Sequence, residues 1–384
     1  MMSLYGELGV DVKKRGVEKF KHLLSEAVYE DAFCPVFRAP WSRDAGFVAH
    51  ADGAGSKPVQ SYLHWAETGD VGWFSGLAQD VVAMNLDDLV CVAAEPVCLL
   101  DYVALNPYKL PKEEVLDALS RGFGECLSTL RELGVDVVLA GGETADLPDQ
   151  MTTLDVSGSV FGVVELRKVV TGRDVRPGDV IVGLRSGGRA KYERRENSGI
   201  MCNGITLARL SLMKPEYEEK YPEISASEGR YRGRYGIDDY VDELGMTVGE
   251  AILSPTRVYA PIVLRMLREF GPWIKGLVHN TGGGQTKCLR IGRGIHYVKD
   301  SLPEPDPIFR LIQREARVEW REMYEVFNMG IGFEVIVDRE YADEVVGVSE
   351  KFGVEAMVVG RCEKSPEKRN MVTVRSMNGV FRYP

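Results

Sequence analysis

Asp52-Gly53-Ala54-Gly55-Ser56-Lys57 follows the apolar run Gly46-Phe47-Val48-Ala49. The run reads as a strand, with a carboxylate at its end, then two glycines, a hydroxyl and a lysine. An acid can hold a divalent cation, glycines let backbone N–H groups approach phosphate oxygens, and lysine supplies compact positive charge. The same residues also fit a glycine-rich hairpin turn with a solvated lysine. Two further segments favour the first reading. They are Asp80-Val81-Val82-Ala83-Met84-Asn85-Leu86-Asp87-Asp88-Leu89-Val90 and Ala140-Gly141-Gly142-Glu143-Thr144-Ala145-Asp146-Leu147-Pro148. With Asp52 they make three acidic clusters, each tied to an apolar element.

The composition is globular: 384 residues, 45% hydrophobic and 27% charged, enough for two domains with separate cores. A net charge of −10 argues against generic nucleic-acid binding. It leaves room for a small phosphorylated ligand held by local cations and helix N-termini. Seven scattered cysteines without a Cys-x-x-Cys argue against a disulfide framework or a zinc site. The chain shows no apolar run of signal-peptide or membrane-spanning length, so a reducing, cytoplasmic setting is expected.

Helical periodicity is read near residues 17–29, 73–92 and 113–133, and strands at 47–51, 97–105, 135–140 and 154–164. The third helix puts Val115, Leu116, Leu119, Phe123, Leu127 and Leu130 on one stripe, a core face. Pro177-Gly178-Asp179 opens a new strand at 180–184. The domains are therefore expected at 1–172 and 173–384. In the second half, strands are expected near 276–279, 332–337, 356–360 and 371–375, and helices near 258–270, 308–315 and 341–352. Two segments read as insertions. Residues 187–202 carry Arg189, Lys191, Arg194 and Arg195, and residues 214–242 are rich in Tyr, Gly and charge. They are solvated surface loops or a lid over an anionic ligand.

Asp80 and Asp87 are seven residues apart and share a helix face, with Asp88 close behind. Carboxylates crowded on an apolar helix repel one another, and a cation would offset that cost. Solvated acids are the alternative, which Asp87 suits best; Asp80, flanked by Leu77, Val81 and Met84, sits nearer the buried stripe. Glu143 follows a Gly-Gly pair at the expected end of strand 135–140, a common ligand position in α/β sheets, and an ordinary turn is the alternative. Gly282-Gly283-Gly284 can form an anion nest, with Lys287 and Arg257 adding charge, or a plain turn. His279 ends an apolar strand as a satisfied core residue or an acid/base group.

In order along the chain, these segments resemble the aminoimidazole ribonucleotide synthetase (phosphoribosylformylglycinamidine cyclo-ligase) family. The resemblance includes Ala94-Glu95-Pro96, Leu100-Asp101-Tyr102, Asn203-Gly204-Ile205-Thr206-Leu207-Ala208-Arg209 and Ser254-Pro255-Thr256-Arg257-Val258-Tyr259. It continues through His279-Asn280-Thr281-Gly282-Gly283-Gly284 and Phe327-Asn328-Met329-Gly330-Ile331-Gly332. It implies an α/β fold of α+β type: two tandem α/β sandwich domains, with the N-terminal sheets pairing in a dimer barrel. The implied partners are ATP, Mg²⁺ and a phosphoribosyl substrate, in a homodimer. The implied reaction is ATP-dependent cyclisation of formylglycinamidine ribonucleotide to aminoimidazole ribonucleotide, in purine biosynthesis, through phosphorylation of the amide oxygen.

Residue by residue, the resemblance assigns catalytic roles to Lys57, Asp88 and His279. Nucleotide contacts fall to Asp52, Gly53, Gly55, Ser56, Lys57, Gly142, Glu143 and Thr144, and metal contacts to Asp52, Asp80, Asp88 and Glu143. Substrate contacts fall to Asn203, Gly204, Arg257, Gly282, Gly283, Gly284 and Lys287. The chain departs from the pattern in places. Asp87-Asp88 stands where the family has Asn-Asp, and residues 187–202 replace a turn that carries a His. The arm Leu8-Gly9-Val10-Asp11-Val12 is similar to the family's nucleotide-covering arm, but the Gly-Gly-Phe-Gly segment is missing. A divergent paralogue acting on another amide, or a dimeric nucleotide-binding scaffold without turnover, stays open.

Overall fold

The computed structural model describes residues 4–8, 10, 16–225 and 230–384; Gly9, Asp11 and Val12 of the arm lie outside them, as does part of the 214–242 segment. Alternating apolar and small residues after Ala45 build the first sheet. Its strands are β1 (Phe37–Arg38), β2 (Ala45–Gly53), β3 (Glu95–Leu105), β4 (Val138–Asp146) and β5 (Leu154–Glu165), in the order β1-β2-β5-β3-β4. Helices α1 (Lys57–Thr68), α2 (Gly76–Val90) and α3 (Lys112–Glu132) connect them. Along β5, Leu154, Val156, Val160 and Val164 are buried and alternate with more open positions, so one face packs and the other does not. Helix α2 lies close on the packed face: a Cβ at Gly158 would come within 2.7 Å of Val81, and one at Gly162 within 2.8 Å of Leu89.

The second sheet has seven strands. They are β6 (Val180–Arg185), β7 (Ile274–His279), β8 (Ile295–Lys299), β9 (Ile331–Val337), β10 (Ala356–Lys364), β11 (Met371–Ser376) and β12 (Gly379–Tyr383). Their order is β7-β9-β6-β10-β8-β11-β12. Every residue of β9 is buried, so both faces of the sheet are covered there. The helices of this half are α4 (Ile205–Leu212), α5 (Val248–Leu253), α6 (Ala260–Phe270), α7 (Pro307–Ala316), α8 (Trp320–Val326) and α9 (Ala342–Lys351), apart from one short turn at Glu216–Lys220. The architecture is two α/β domains in tandem.

Several local expectations change. The residues after Ser56 form no hairpin turn: α1 starts at Lys57, with Pro58 presetting the first helical turn, and Lys57 is fully buried. Strand β4 runs on to Asp146, so Glu143 sits inside a strand rather than after one. The helix read at 17–29 is a 3-10 segment, Val17–Leu24. The inserted segments are not simply solvated, since Ile200, Met201, Cys202, Tyr217, Ile224 and Tyr231 are buried. Among the described residues no helix is long and apolar enough to cross a membrane.

Candidate active site

The turn between β2 and α1 rests on the second domain. Gly55 has φ +63°, and a Cβ there would lie 2.9 Å from the Cys202 carbonyl oxygen, so both the conformation and the contact require glycine. Ser56 Oγ meets Thr206 Oγ1 at 2.9 Å, and the Arg209 guanidinium donates to the Ser56 carbonyl at 3.1 Å. Asn203 in turn lies against the glycine turn, 3.2 Å from where a Gly282 Cβ would stand. Gly283 and Gly284 have φ +107° and +49°, the left-handed backbone from which a nest of N–H groups is made. Lys287 follows on a 3-10 segment (Gly284–Arg290) and donates to Thr281 Oγ1 at 2.8 Å. Three motifs far apart in sequence thus form one continuous surface.

At its centre is Asp88, 5% exposed. Its Oδ1 accepts from His279 Nδ1 at 2.8 Å. Its Oδ2 lies 3.4 Å from His50 Nε2 and 3.8 Å from Lys287 Nζ. Burial opposes the charge on Asp88, but Lys287, His279 and His50 together hold its carboxyl well below the usual range. Burial lowers His279 despite the pull of Asp88, so the ring is neutral with its hydrogen on Nδ1. His50 Nδ1, Asn203 Nδ2 and His279 Nε2 are buried without a hydrogen-bond partner. Buried polar atoms are normally satisfied; His279 Nε2 has the Asp87 carboxylate nearest it, at 3.9 Å.

The other expected residues divide. Asp80 Oδ1 accepts from Lys57 Nζ at 2.7 Å, Thr256 N at 2.8 Å, Thr256 Oγ1 at 2.7 Å and Cys202 Sγ at 3.3 Å. Lys57 also donates to the Ser254 carbonyl at 2.6 Å. Asp80 and Lys57 therefore face each other and the domain seam. Asp87 is buried, not solvated, because its carboxylate accepts from Tyr259 N at 3.0 Å and Ala260 N at 2.7 Å, at the start of α6. Arg257 binds Glu193 at 2.6 Å and the carbonyls of Arg185, Gly187 and Gly188, which pins segment 187–202. Gly142, Glu143 and Thr144 lie on β4, an edge strand separated from β2 by β5 and β3, about 14 Å across the sheet.

Three participants were missed: His50, Thr281 and Phe33, whose ring lies 5.1 Å from Lys287 and 5.3 Å from Arg290. The period of two along β2 carried a signal for His50, which shares a face with Val48 and Asp52. Phe33 has no periodic context to reveal it. Among the described residues no three His, Cys, Asp or Glu side chains form a metal cluster. Asp52 and Asp88 still suit a magnesium ion that brings its own phosphate and water ligands, which needs only one or two carboxylates from the protein.

Residues 30–164 match the N-terminal domain family of AIR synthase related proteins, and residues 176–372 match its C-terminal domain family. A phosphoribosylformylglycinamidine cyclo-ligase of Methanocaldococcus jannaschii is 37% identical over 324 residues, covering 84% of this chain and 80% of the relative. One from Methanococcus maripaludis strain C7 is 34% identical over 390 residues, covering 98% of each. Among solved structures, thiamine monophosphate kinase from Aquifex aeolicus superposes with TM-score 0.55 at 13% identity, covering 96% of this chain and 99% of that one. Hydrogenase maturation protein HypE does so with TM-score 0.55 at 15% identity, covering 91% and 90%. These two likenesses concern the fold alone.

Proposed function

The chain belongs to the AIR synthase related protein family, and on that premise we propose that it converts formylglycinamidine ribonucleotide to aminoimidazole ribonucleotide with ATP, a ring closure of purine biosynthesis. ATP phosphorylates the formyl-amide oxygen, which turns a poor leaving group into a good one. The amidine nitrogen attacks the activated carbon, loses a proton, and phosphate departs as the ring closes. Such a reaction asks the protein for positioning and charge neutralisation more than for a nucleophile.

The observation that carries this reading is the cluster of Asp88, His279, His50 and Lys287, drawn from both domains around unpartnered buried polar atoms. Gly282, Gly283 and Gly284, with Asn203, Gly204 and Lys287, receive the substrate phosphate. Asp52, Gly53, Gly55 and Ser56 border the nucleotide. Asp52 and Asp88 are the carboxylates that would hold magnesium, which would supply charge neutralisation for the phosphates. His279 Nε2, with Nδ1 held by Asp88, takes the amidine proton. Lys57, Asp80 and Arg257 act as struts that fix the turn, the seam and segment 187–202. Residues 1–172 thus form the nucleotide half and 173–384 complete the substrate half.

The enzyme works as a cytoplasmic homodimer. The open face of the first sheet supports the dimer, with Leu100 41% and Tyr102 40% exposed. The part of Gly142, Glu143 and Thr144 in nucleotide binding rests on that dimer. Seven free cysteines support a reducing compartment. The test is incubation of the purified protein with formylglycinamidine ribonucleotide and MgATP. One ADP released per aminoimidazole ribonucleotide is expected. ATP bound without turnover would mean a scaffold, and turnover with another amide alone would mean a paralogue.

A further inference from the structure

The glycine turn that leads out of β7 is held at both of its feet. Asn280 precedes Thr281-Gly282-Gly283-Gly284 and Gln285 follows it, and both side chains are buried. Both reach one ion pair, Lys299 of β8 with Glu334 of β9, in which neither side chain is exposed. Asn280 Nδ2 donates to Glu334 Oε1 at 2.8 Å and to the Ile331 carbonyl at 3.0 Å. Lys299 Nζ donates to the Gln285 carbonyl at 2.7 Å and to Gln285 Oε1 at 3.1 Å. The Gln285 amide in turn donates to the Asn328 carbonyl. Inside the turn, Gly284 N closes on the Thr281 carbonyl at 2.9 Å. A Cβ at Gly284 would lie 2.3 Å from the Phe327 carbonyl oxygen, so the backbone of the turn rests directly on the chain at 327–328.

For stability alone this network is a poor arrangement. Glu334 Oε2 and Asn280 Oδ1 are buried without a hydrogen-bond partner. Apolar side chains of similar size commonly serve a core as well as a buried ion pair or better, and every other residue of β9 is apolar or glycine. What the pair supplies, and apolar side chains do not, is direction: its hydrogen bonds set where Asn280 and Gln285 stand. Successive glycines have the most backbone freedom to lose when they close on a ligand. With both feet fixed, much of that loss is taken at folding, and the N–H groups are aimed before the ligand arrives.

We propose that Lys299 and Glu334 are positioning residues for the substrate phosphate: through Asn280 and Gln285 they hold the 281–284 turn in the shape that binds it. The inference rests on the reading of this turn as the seat of that phosphate. Both side chains act from the interior and touch no ligand themselves.

The test compares the parent chain with the double variant Lys299→Met/Glu334→Leu, which removes both charges together and leaves no buried ion unpaired. Its urea unfolding midpoint should lie at or above the parent's. Calorimetric titration with ribose 5-phosphate should show affinity about tenfold weaker, and KM for formylglycinamidine ribonucleotide should rise about tenfold while kcat falls less than about threefold. Asn280→Val frees one foot and keeps the ion pair; it should weaken ribose 5-phosphate about threefold, and it decides the matter if the double variant does not fold. Parent-like affinity and KM in the folded double variant, or in Asn280→Val where the double variant does not fold, would overturn the proposal. So would a parent chain that binds no ribose 5-phosphate, since the turn would then seat no phosphate. A parent that binds it without turning over formylglycinamidine ribonucleotide would sink the ring closure alone and leave the comparison of affinities standing.

Discussion

The two sheets of this protein are built on opposite terms. In the first, β5 alternates buried and open positions, and only the face under α2 and α3 is covered. Its bare face carries Phe37, Phe47, Phe161 and Trp41 in a run of ring contacts 5.6 to 6.4 Å apart, with Leu100 and Tyr102 beside them. In the second, β9 is buried at every position and holds an ion pair, Glu334 with Lys299, in the interior. Lys299 also donates to the Gln285 carbonyl at 2.7 Å, and Asn280 donates to Glu334 at 2.8 Å, so the charges are partly satisfied. A strand that alternates reports a face still waiting for cover; a strand buried throughout reports a finished core. The first sheet keeps an open apolar face, the second is a covered core, and the Asp88 cluster lies where the two domains meet.

The sharpest break in this contrast is Glu334→Ala. Leaving the Lys299 ammonium buried and unpaired should cost about 3–5 kcal/mol, read by urea unfolding. A loss below ~1 kcal/mol would mean that water reaches the pair. Next comes Asp88→Asn at the junction. Turnover should fall about 10²–10³-fold and Mg²⁺-dependent nucleotide binding should vanish, with the unfolding midpoint nearly kept. Unchanged nucleotide affinity by calorimetry would reject Asp88 as a metal ligand.

Leu100→Glu on the bare face should weaken self-association about 100-fold, ~2.7 kcal/mol, and leave the subunit folded. Light scattering would then report one chain where the parent reports two; a parent that is already monomeric would refute the assembly role. The smallest effect concerns His64, buried on α1 with neither ring nitrogen partnered and with the Trp73 ring 4.3 Å away. Burial pushes it down to about 3, against about 6.5 in the unfolded chain. Between those values the unfolded state binds the extra proton, so stability is full above about pH 6.5 and falls as pH drops, by about 1.4 kcal/mol per unit from this group. His64→Leu should flatten that slope; equal slopes in urea titrations at pH 7, 6 and 5 would show that the ring finds a partner.

Much of the architecture was legible because it rests on periodicity. The α3 stripe of Val115, Leu119, Phe123, Leu127 and Leu130 and the alternation along β5 are local patterns. Strand β8 was missed because Ile295-His296-Tyr297-Val298-Lys299 places polar residues where a strand pattern wants apolar ones, and Lys299 is paid for by a partner on β9. Helix α1 was hidden by the glycines before it. In the site, acidic and glycine motifs stood out by residue type, whereas His50 and Phe33 have meaning only beside Asp88, Lys287 and Arg290.

By itself, the sequence determined the two-domain α/β plan and the kinds of group available: carboxylates, a glycine turn, a lysine and a histidine. Which of them act together was decided only by the tertiary structure. Burial assigned neighbouring carboxylates on one helix to different work, Asp80 to Lys57 and Thr256, Asp87 to the start of α6, and Asp88 to His279. Residue type cannot encode that division, because a carboxylate takes its role from the donors that surround it.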